Sequence, residues 1–339
     1  MSKRNQMRHK GWRFRAATAG AALALLSTTL MTGAAGPGVV AANAAAKYNI
    51  VLIPGLTTDP FYITMGVGAK AEAAKLGVNL EWRGATTWNT TLQIPIVNSV
   101  LATKPSALLI APTDDVALFK PMDAYVKAGI PVISVDTTLT NQSILTAAIS
   151  SDNYQGGEEA AQTIAKLAHG KGDVAVINVE QGVSTTDLRQ SGFLAQMKKY
   201  PNMHVVATEY DNDSPTIAES DARALILAHP DLVGIFGTNL YSAEGAGRGV
   251  VASGKKGKVF VAGYDAEPAE VTLLRQGVIN ILIIQNPAEE GSLGVQYAYD
   301  ALTGHKNLIK KHVLLANIVA TTATVNDPSV SKYFYKTHL

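Results

Sequence analysis

No cysteine occurs in the 339 residues. That excludes structural disulfides, thiolate-held zinc, iron–sulfur clusters, thiol catalysis and an anchor built on an acylated cysteine. It leaves the redox compartment open. Charge is sparse, at 17% of residues, with 29 basic against 27 acidic. Such a balance lacks the basic surface that nucleic acid or an anionic membrane attracts. Neither G-x-S-x-G nor H-E-x-x-H is present, and the seven histidines show no metal-ligand spacing. The nearest approach to a phosphate loop runs from Gly249 to Lys256. It ends in Lys where a Mg²⁺-binding Ser or Thr belongs, and it follows a helical stretch instead of a strand. Small residues at 245–249 read as close helix packing. The chain is therefore read as a non-enzyme with no cofactor and no metal.

What is there begins with six basic residues, Lys3, Arg4, Arg8, Lys10, Arg13 and Arg15, and no acid before residue 16. An apolar run follows over 16–31, then small residues ending in Ala44-Ala45-Ala46. This order is that of a secretory signal peptide, assigned to 1–46. The run is shorter than a membrane span needs, and glycines and a proline follow it. No Arg-Arg pair occurs, which favours general secretion over the twin-arginine route. Nothing further along is apolar for long enough to span a bilayer. Without those six, the 29 basic residues become 23 against 27 acidic, a net charge of −4. Nucleic acid is not an expected partner, and the chain is not expected to be membrane-embedded.

Beyond residue 46 short apolar runs alternate with helical periodicity. Strands are expected at 48–54, 78–82, 107–111, 131–135, 146–149, 173–178, 205–210, 232–236, 259–263 and 279–284. Helices are expected at 61–76, 90–102, 116–127, 154–168, 188–199, 216–227, 243–252, 268–275 and 288–303, with Pro95 casting doubt on the start of the second. Strand–helix alternation means right-handed βαβ units and parallel sheets. About ten strands are too many for one open sheet of this length, so the fold class is α/β with two similar doubly wound parallel-sheet lobes. No flexible tether separates the halves. The polar stretch Ser150-Ser151-Asp152-Asn153 is the candidate hinge.

In open parallel sheets, ligands bind beyond the carboxyl ends of the strands. The residues expected there are Asp59-Pro60-Phe61-Tyr62; Pro112-Thr113-Asp114; Asp136-Thr137-Thr138; 181–189 with Arg189; Asp211-Asn212-Asp213; Thr238-Asn239; Tyr264-Asp265; and Gln285-Asn286. Carboxylates accept, a guanidinium donates through a rigid fork, and amides do both, which suits a neutral polyhydroxylated ligand. Aromatic faces suit its C–H faces. Asp59, Asp114, Asp136, Asn239 and Asp265 also read as helix caps or turn residues. Trp88 reads as a surface or packing residue, with the cleft mouth as the alternative.

Residues 48–318 resemble the periplasmic sugar-binding proteins of the ribose-binding type (the type I periplasmic binding proteins). The resemblance rests on ordered motifs: DPFY at 59–62, PTD at 112–114, PVISVD at 131–136, SSDN at 150–153 with Gly156-Gly157, Arg189 with Gly192-Phe193, AHPD at 228–231, FGTN at 236–239, GYD at 263–265 and QNP at 285–287. It implies two lobes joined by a three-crossing hinge, near 150–153, 285–286 and 315–317. The N-terminal lobe would comprise 47–150 with 286–315, and the C-terminal lobe 151–285 with 316–339. It implies ligand contacts from Asp59, Phe61, Tyr62, Asp136, Arg189, Asn239, Asp265 and Gln285. A ribose binder has Asn in place of Asp59 and Ala111, Arg in place of Thr137, and an aromatic ring near Asp213. The implied protein is a monomeric, periplasmic solute-binding component of an ABC importer. It would take a sugar or polyol to a membrane permease and, through it, an ATPase. A periplasmic sensor for a sugar-like signal is the alternative. A sugar-responsive transcription regulator would need a helix-turn-helix where this chain has its signal peptide.

Overall fold

The structure, a computed structural model, describes residues 47–339. The expected signal segment lies outside the described residues.

Among the described residues, twelve strands form two six-stranded sheets with the same order. The first contains β1 (Asn49–Ile53), β2 (Asn79–Trp82), β3 (Ala107–Ile110), β4 (Val132–Val135), β5 (Ala147–Ser151) and β11 (His312–Leu315), ordered β11-β5-β4-β3-β1-β2. The second contains β6 (Lys171–Asn178), β7 (Asn202–Tyr210), β8 (Leu232–Gly237), β9 (Phe260–Tyr264), β10 (Ile281–Ile284) and β12 (Ile318–Thr321), ordered β12-β10-β9-β8-β6-β7. All pairings are parallel except β10 with β12. The central strands are apolar and buried on both faces, as ALLI in β3 and ILII in β10, because helices cover each side.

The helices are α1 (Pro60–Leu76), α2 (Thr90–Ala102), α3 (Phe119–Lys127), α4 (Asn153–Leu167), α5 (Ser184–Met197), α6 (Pro215–Ala228), α7 (Leu240–Ala252), α8 (Pro268–Arg275), α9 (Pro287–Thr303) and α10 (Pro328–Ser331). Helix α4 follows a first-sheet strand yet packs on α5 and the second sheet, and α9 follows a second-sheet strand yet packs on α1 and the first. The chain thus passes between lobes after β5, after β10 and between β11 and β12. The first and last passages are laced together: Asp152 N–H donates to Leu315 O (2.9 Å), and Asn317 Nδ2 donates to Asp152 O (2.8 Å).

Four local expectations need correction. The helix expected from 116 begins at Phe119, because Asp114 Oδ1 accepts from the amides of Val116 and Ala117 and folds the preceding residues into a turn. The helix expected from 188 begins at Ser184, where Asp187 in the first turn accepts from Gly182 N (2.9 Å). Pro95 stands in the second turn of α2, where an intact helix accommodates it. Strands β11 and β12 went unseen because they are four-residue, half-exposed edges without a continuous buried run.

Candidate functional site

The carboxyl ends of the two sheets face one cavity, with about 400 Å³ of space between atoms once its open mouth is included. All eight side chains singled out from the sequence line it: Asp59, Phe61, Tyr62, Asp136, Arg189, Asn239, Asp265 and Gln285. Trp88, Asp213, Thr185 and Thr186 line it as well.

Asp59 and Asn239 are held by helix starts. Asp59 Oδ1 caps α1 by accepting from Phe61 N (2.7 Å), and Asn239 Oδ1 caps α7 by accepting from Ser242 N (2.9 Å). Capping and cavity-lining are therefore one arrangement at these positions, not alternatives. Asp136 and Asp265 follow equivalent strands, β4 and β9. Each sits in the left-handed region, at φ 66° and 84°. Each backbone N–H donates sideways to the neighbouring strand, Asp136 to Ile149 O (2.9 Å) and Asp265 to Ile283 O (2.8 Å). Such strained backbone at the end of a strand aims the carboxylate into the cleft.

Arg189 is buried at 2% exposure. Its Nε donates to Asn153 Oδ1 (2.8 Å) and its Nη1 to Thr238 O (2.9 Å), and the guanidinium lies 3.7 Å from the Tyr264 ring centre. Two fork positions and one face are thus fixed in a residue that lines the cavity. Gly156-Gly157 and Gly192 earn their places here by close approach. A Cβ on Gly157 would meet Arg189 O at 1.9 Å, and one on Gly192 would meet Tyr154 O at 2.0 Å. Without side chains there, α4 and α5 pack tightly enough to seat Arg189 under Tyr264.

Most of the other polar donors are already committed. Tyr62 Oη donates to Asp136 Oδ2 (2.6 Å), Gln285 Nε2 to Asp265 Oδ1 (2.6 Å), and Asn239 Nδ2 to Asp213 Oδ1 (2.7 Å). What remains toward the cavity is mainly acceptor. Gln285 Oε1 is buried with no partner among the described residues. Asp59, Asp213 and Asp265 each use Oδ1 inside the protein and leave Oδ2.

The electrostatics follow. Burial pushes Asp59 well above the usual carboxylate range, helped by the charges of Asp213 and Asp265. Burial raises Asp136 to about 6, against the lowering pull of Arg189 and the Tyr62 hydroxyl. Burial raises Asp213 to about 6, opposed by Asn239. A ligand rich in hydroxyl donors, bringing no negative charge, relieves this crowding.

Sequence reasoning missed two main residues. Asp213 was on the strand-end roster but passed over because an aromatic was expected nearby. Its backbone is left-handed (φ 60°), and Asp211 Oδ1 accepts from its amide (2.8 Å), which turns the side chain inward. Trp88 is not merely a packing residue: its ring lies over Gly55, where a Cβ would come within 2.2 Å of it, and its Nε1 donates to Glu180 Oε1 (3.1 Å). Nothing in the local pattern around Trp88 signals an approach to Gly55, 33 positions earlier. Thr185 and Thr186 fell within the expected stretch 181–189 but were not singled out, and the early start of α5 at Ser184 brings them to the cavity.

Two similar α/β lobes facing a polar cavity at the carboxyl ends of both sheets define a solute-binding protein. The chain belongs to the periplasmic binding protein family, whose domain model matches residues 50–306. It is 31% identical to the ribose import binding protein of Salmonella typhimurium over 291 residues, covering 86% of this chain and 97% of that one. Among solved structures it is similar to an ABC transporter solute-binding protein from Agrobacterium vitis bound with α-D-tagatopyranose. The TM-score there is 0.83 and the identity 41%, over 86% of this chain and 100% of that one. It is also similar to a carbohydrate transporter solute-binding protein from Agrobacterium radiobacter in complex with D-arabinose, with TM-score 0.81 and 31% identity, over 85% and 99% of the two chains. These relatives are sugar-binding transport proteins, not enzymes. Among the described residues no helix is long and apolar enough to cross a membrane.

Proposed function

We propose that this chain is the periplasmic solute-binding component of an ABC importer. It binds a neutral monosaccharide or polyol between its lobes and delivers it to a membrane permease by hinge closure. The lobes would be 47–150 with 286–315 and 151–285 with 316–339, and residues 1–46 a cleaved signal peptide. Asp59, Asp136, Asp265 and Gln285 accept from ligand hydroxyls, joined by Asp213. Arg189 donates to ring or hydroxyl oxygens, Asn239 holds Asp213, and Phe61, Tyr62 and Trp88 pack the C–H faces. The ligand touches both lobes at once, so it favours the closed form by its differential contacts.

The observation that carries this reading is the acceptor surplus of a buried cavity between two strand-end surfaces, relieved by one seated guanidinium. Such a lining disfavours sugar acids and sugar phosphates, whose anions would meet carboxylates. The tagatose complex of the Agrobacterium vitis relative and the arabinose complex of the Agrobacterium radiobacter relative put ketohexoses and pentoses first in the search. The test is titration calorimetry of residues 47–339 against tagatose, other ketohexoses, aldohexoses, pentoses and four- to six-carbon polyols. Saturable binding of one stereochemical group, lost in Arg189→Ala, is expected. Binding of none of them, or tighter binding of a phosphorylated sugar, overturns the reading.

A further inference from the structure

Residues 307–339 lie beyond the stretch matched by the family model. Of these, 322–339 leave the second sheet after β12 and touch both lobes. Tyr335 N–H donates to Ala266 O (3.1 Å) beside β9, and the next amide, Lys336 N–H, donates to Thr64 Oγ1 (2.7 Å) on α1 of the first lobe. Leu339 reaches the same helix at Gly66, where a Cβ would come within 2.5 Å of it. Arg275 on α8 secures the segment from the other side, through Asn326 Oδ1 (3.1 Å) and the ring of Phe334.

Tyr335 itself is buried at 5% exposure. Its hydroxyl donates to Asp265 Oδ1 (2.8 Å) and accepts from Gln285 N–H (3.3 Å). Its ring meets Phe61 edge-on, with centroids 5.7 Å apart. The first lobe holds the counterpart: Tyr62 donates to Asp136 Oδ2 (2.6 Å), and its ring meets the same Phe61 edge-on at 5.0 Å. Asp136 and Asp265 follow matching strands of the two sheets with matching left-handed backbone. Asp136 and Asp265 therefore each have a phenol holding one oxygen, and one phenylalanine between the two phenols joins the pairs. The first phenol lines the cavity. The second stands behind it and comes from the segment outside the family match.

We propose that Tyr335 is a positioning residue of the ligand cleft, holding Asp265 and Phe61 from behind on a C-terminal strap that ties the two lobes. This rests on the sugar-binding reading of the same cavity. With Asp265 Oδ1 occupied by Tyr335 and Gln285, Oδ2 alone is presented to the ligand at one angle. The strap makes that angle depend on its own docking against Thr64.

The test is a double-mutant cycle on sugar affinity, with wild type, Tyr335→Phe, Asp265→Asn and the double variant, each checked by a ligand-free melt. Tyr335→Phe keeps the ring on Phe61 and removes the hydroxyl. It is expected to weaken binding about tenfold and to narrow the preference between sugars epimeric at the hydroxyl that Asp265 reads. In the Asp265→Asn background the same change is expected to cost less than threefold. A merely structural role predicts equal losses in both backgrounds and unchanged epimer preference, and that result overturns the proposal. Affinity of Tyr335→Phe within twofold of wild type also overturns it, with the sugar-binding reading left standing. A wild type that binds no sugar overturns both. Should Tyr335→Phe lower the ligand-free melting temperature, Thr64→Val, which loosens the strap without touching Asp265, is expected to raise the sugar dissociation rate severalfold. No change in that rate counts against the strap.

Discussion

The indole N–H of Trp88, on the first lobe, donates to a carboxylate oxygen of Glu180, on the second, at 3.1 Å. Trp88 also lines the cavity, so one side chain both covers the ligand space and joins the lobes across its mouth. Two further bonds accompany it, Asp115 N–H to Gly182 O (3.1 Å) and Thr138 N–H to Ser184 Oγ (2.8 Å). Under the proposed hinge closure, direct bonds between lobes favour the closed form independently of the ligand.

Trp88→Phe keeps an aromatic face and removes the donor. Sugar affinity is expected to fall about three- to tenfold, mainly through faster dissociation, since interface bonds are read chiefly in off-rates. Chasing bound radiolabelled sugar with unlabelled sugar measures this in both proteins, independently of tryptophan emission. The sugar-dependent emission change is expected to vanish in the variant, because Trp82, the other tryptophan among the described residues, packs near Gly66 on α1 and does not line the cavity.

Gly157→Ala would force α5 away from α4, because the added Cβ meets Arg189 O at 1.9 Å. Overpacking of this kind costs about 1–3 kcal/mol. The affinity loss is expected to exceed what destabilisation alone gives, since the displaced atom belongs to the arginine's own backbone. Melts and calorimetry on the same preparation separate the two effects.

Arg189→Lys retains the charge and loses the fork. The bonds to Asn153 and Thr238 and the stacking on Tyr264 cannot all be kept by an ammonium. Sugar affinity is expected to drop about a hundredfold, while the ligand-free melting temperature falls by a few degrees.

The buried carboxylates make ligand binding depend on pH. Asp136 and Asp213 stand near 6, above the ordinary 3.8, so the ligand-free folded state holds protons that the unfolded chain has released between those values. Their contribution to stability is complete at the low end of that window and is lost as pH rises through about 6. Hydroxyls donating to the ionised forms act in the opposite direction. The melting-temperature gain from saturating sugar is therefore expected to be larger at pH 7.5 than at pH 5.0. Asp213→Asn is expected to flatten that difference, raise the ligand-free melting temperature at pH 7.5 and weaken binding.

The two sheets were legible because ALLI, VISV and ILII are short apolar runs that only a strand buried on both faces explains. The eight cleft residues all fall within the strand-end set, where helix starts coincide as at Asp59 and Asn239, and the resemblance to the sugar-binding family picked them out of it. Contacts set by tertiary approach were not. The Gly55 backbone makes room for Trp88, and the left-handed turn at Asn212 and Asp213 aims a carboxylate where an aromatic was expected. Edge strands β11 and β12 carry too little burial for their pattern to register. The reach of Tyr335 to Asp265, 70 positions earlier, leaves no local trace at all.

Asp59 gives one oxygen to the first turn of α1 and turns the rest of the carboxylate toward the cavity. Asparagine can accept the same amide bond while offering the cavity an NH₂ group, but alanine cannot accept it. Ligand preference at this position can therefore drift over evolutionary time by a single isosteric exchange without unwinding the helix. Any exchange there answers to the helix start as well as to the sugar, because the replacement must still accept the Phe61 amide.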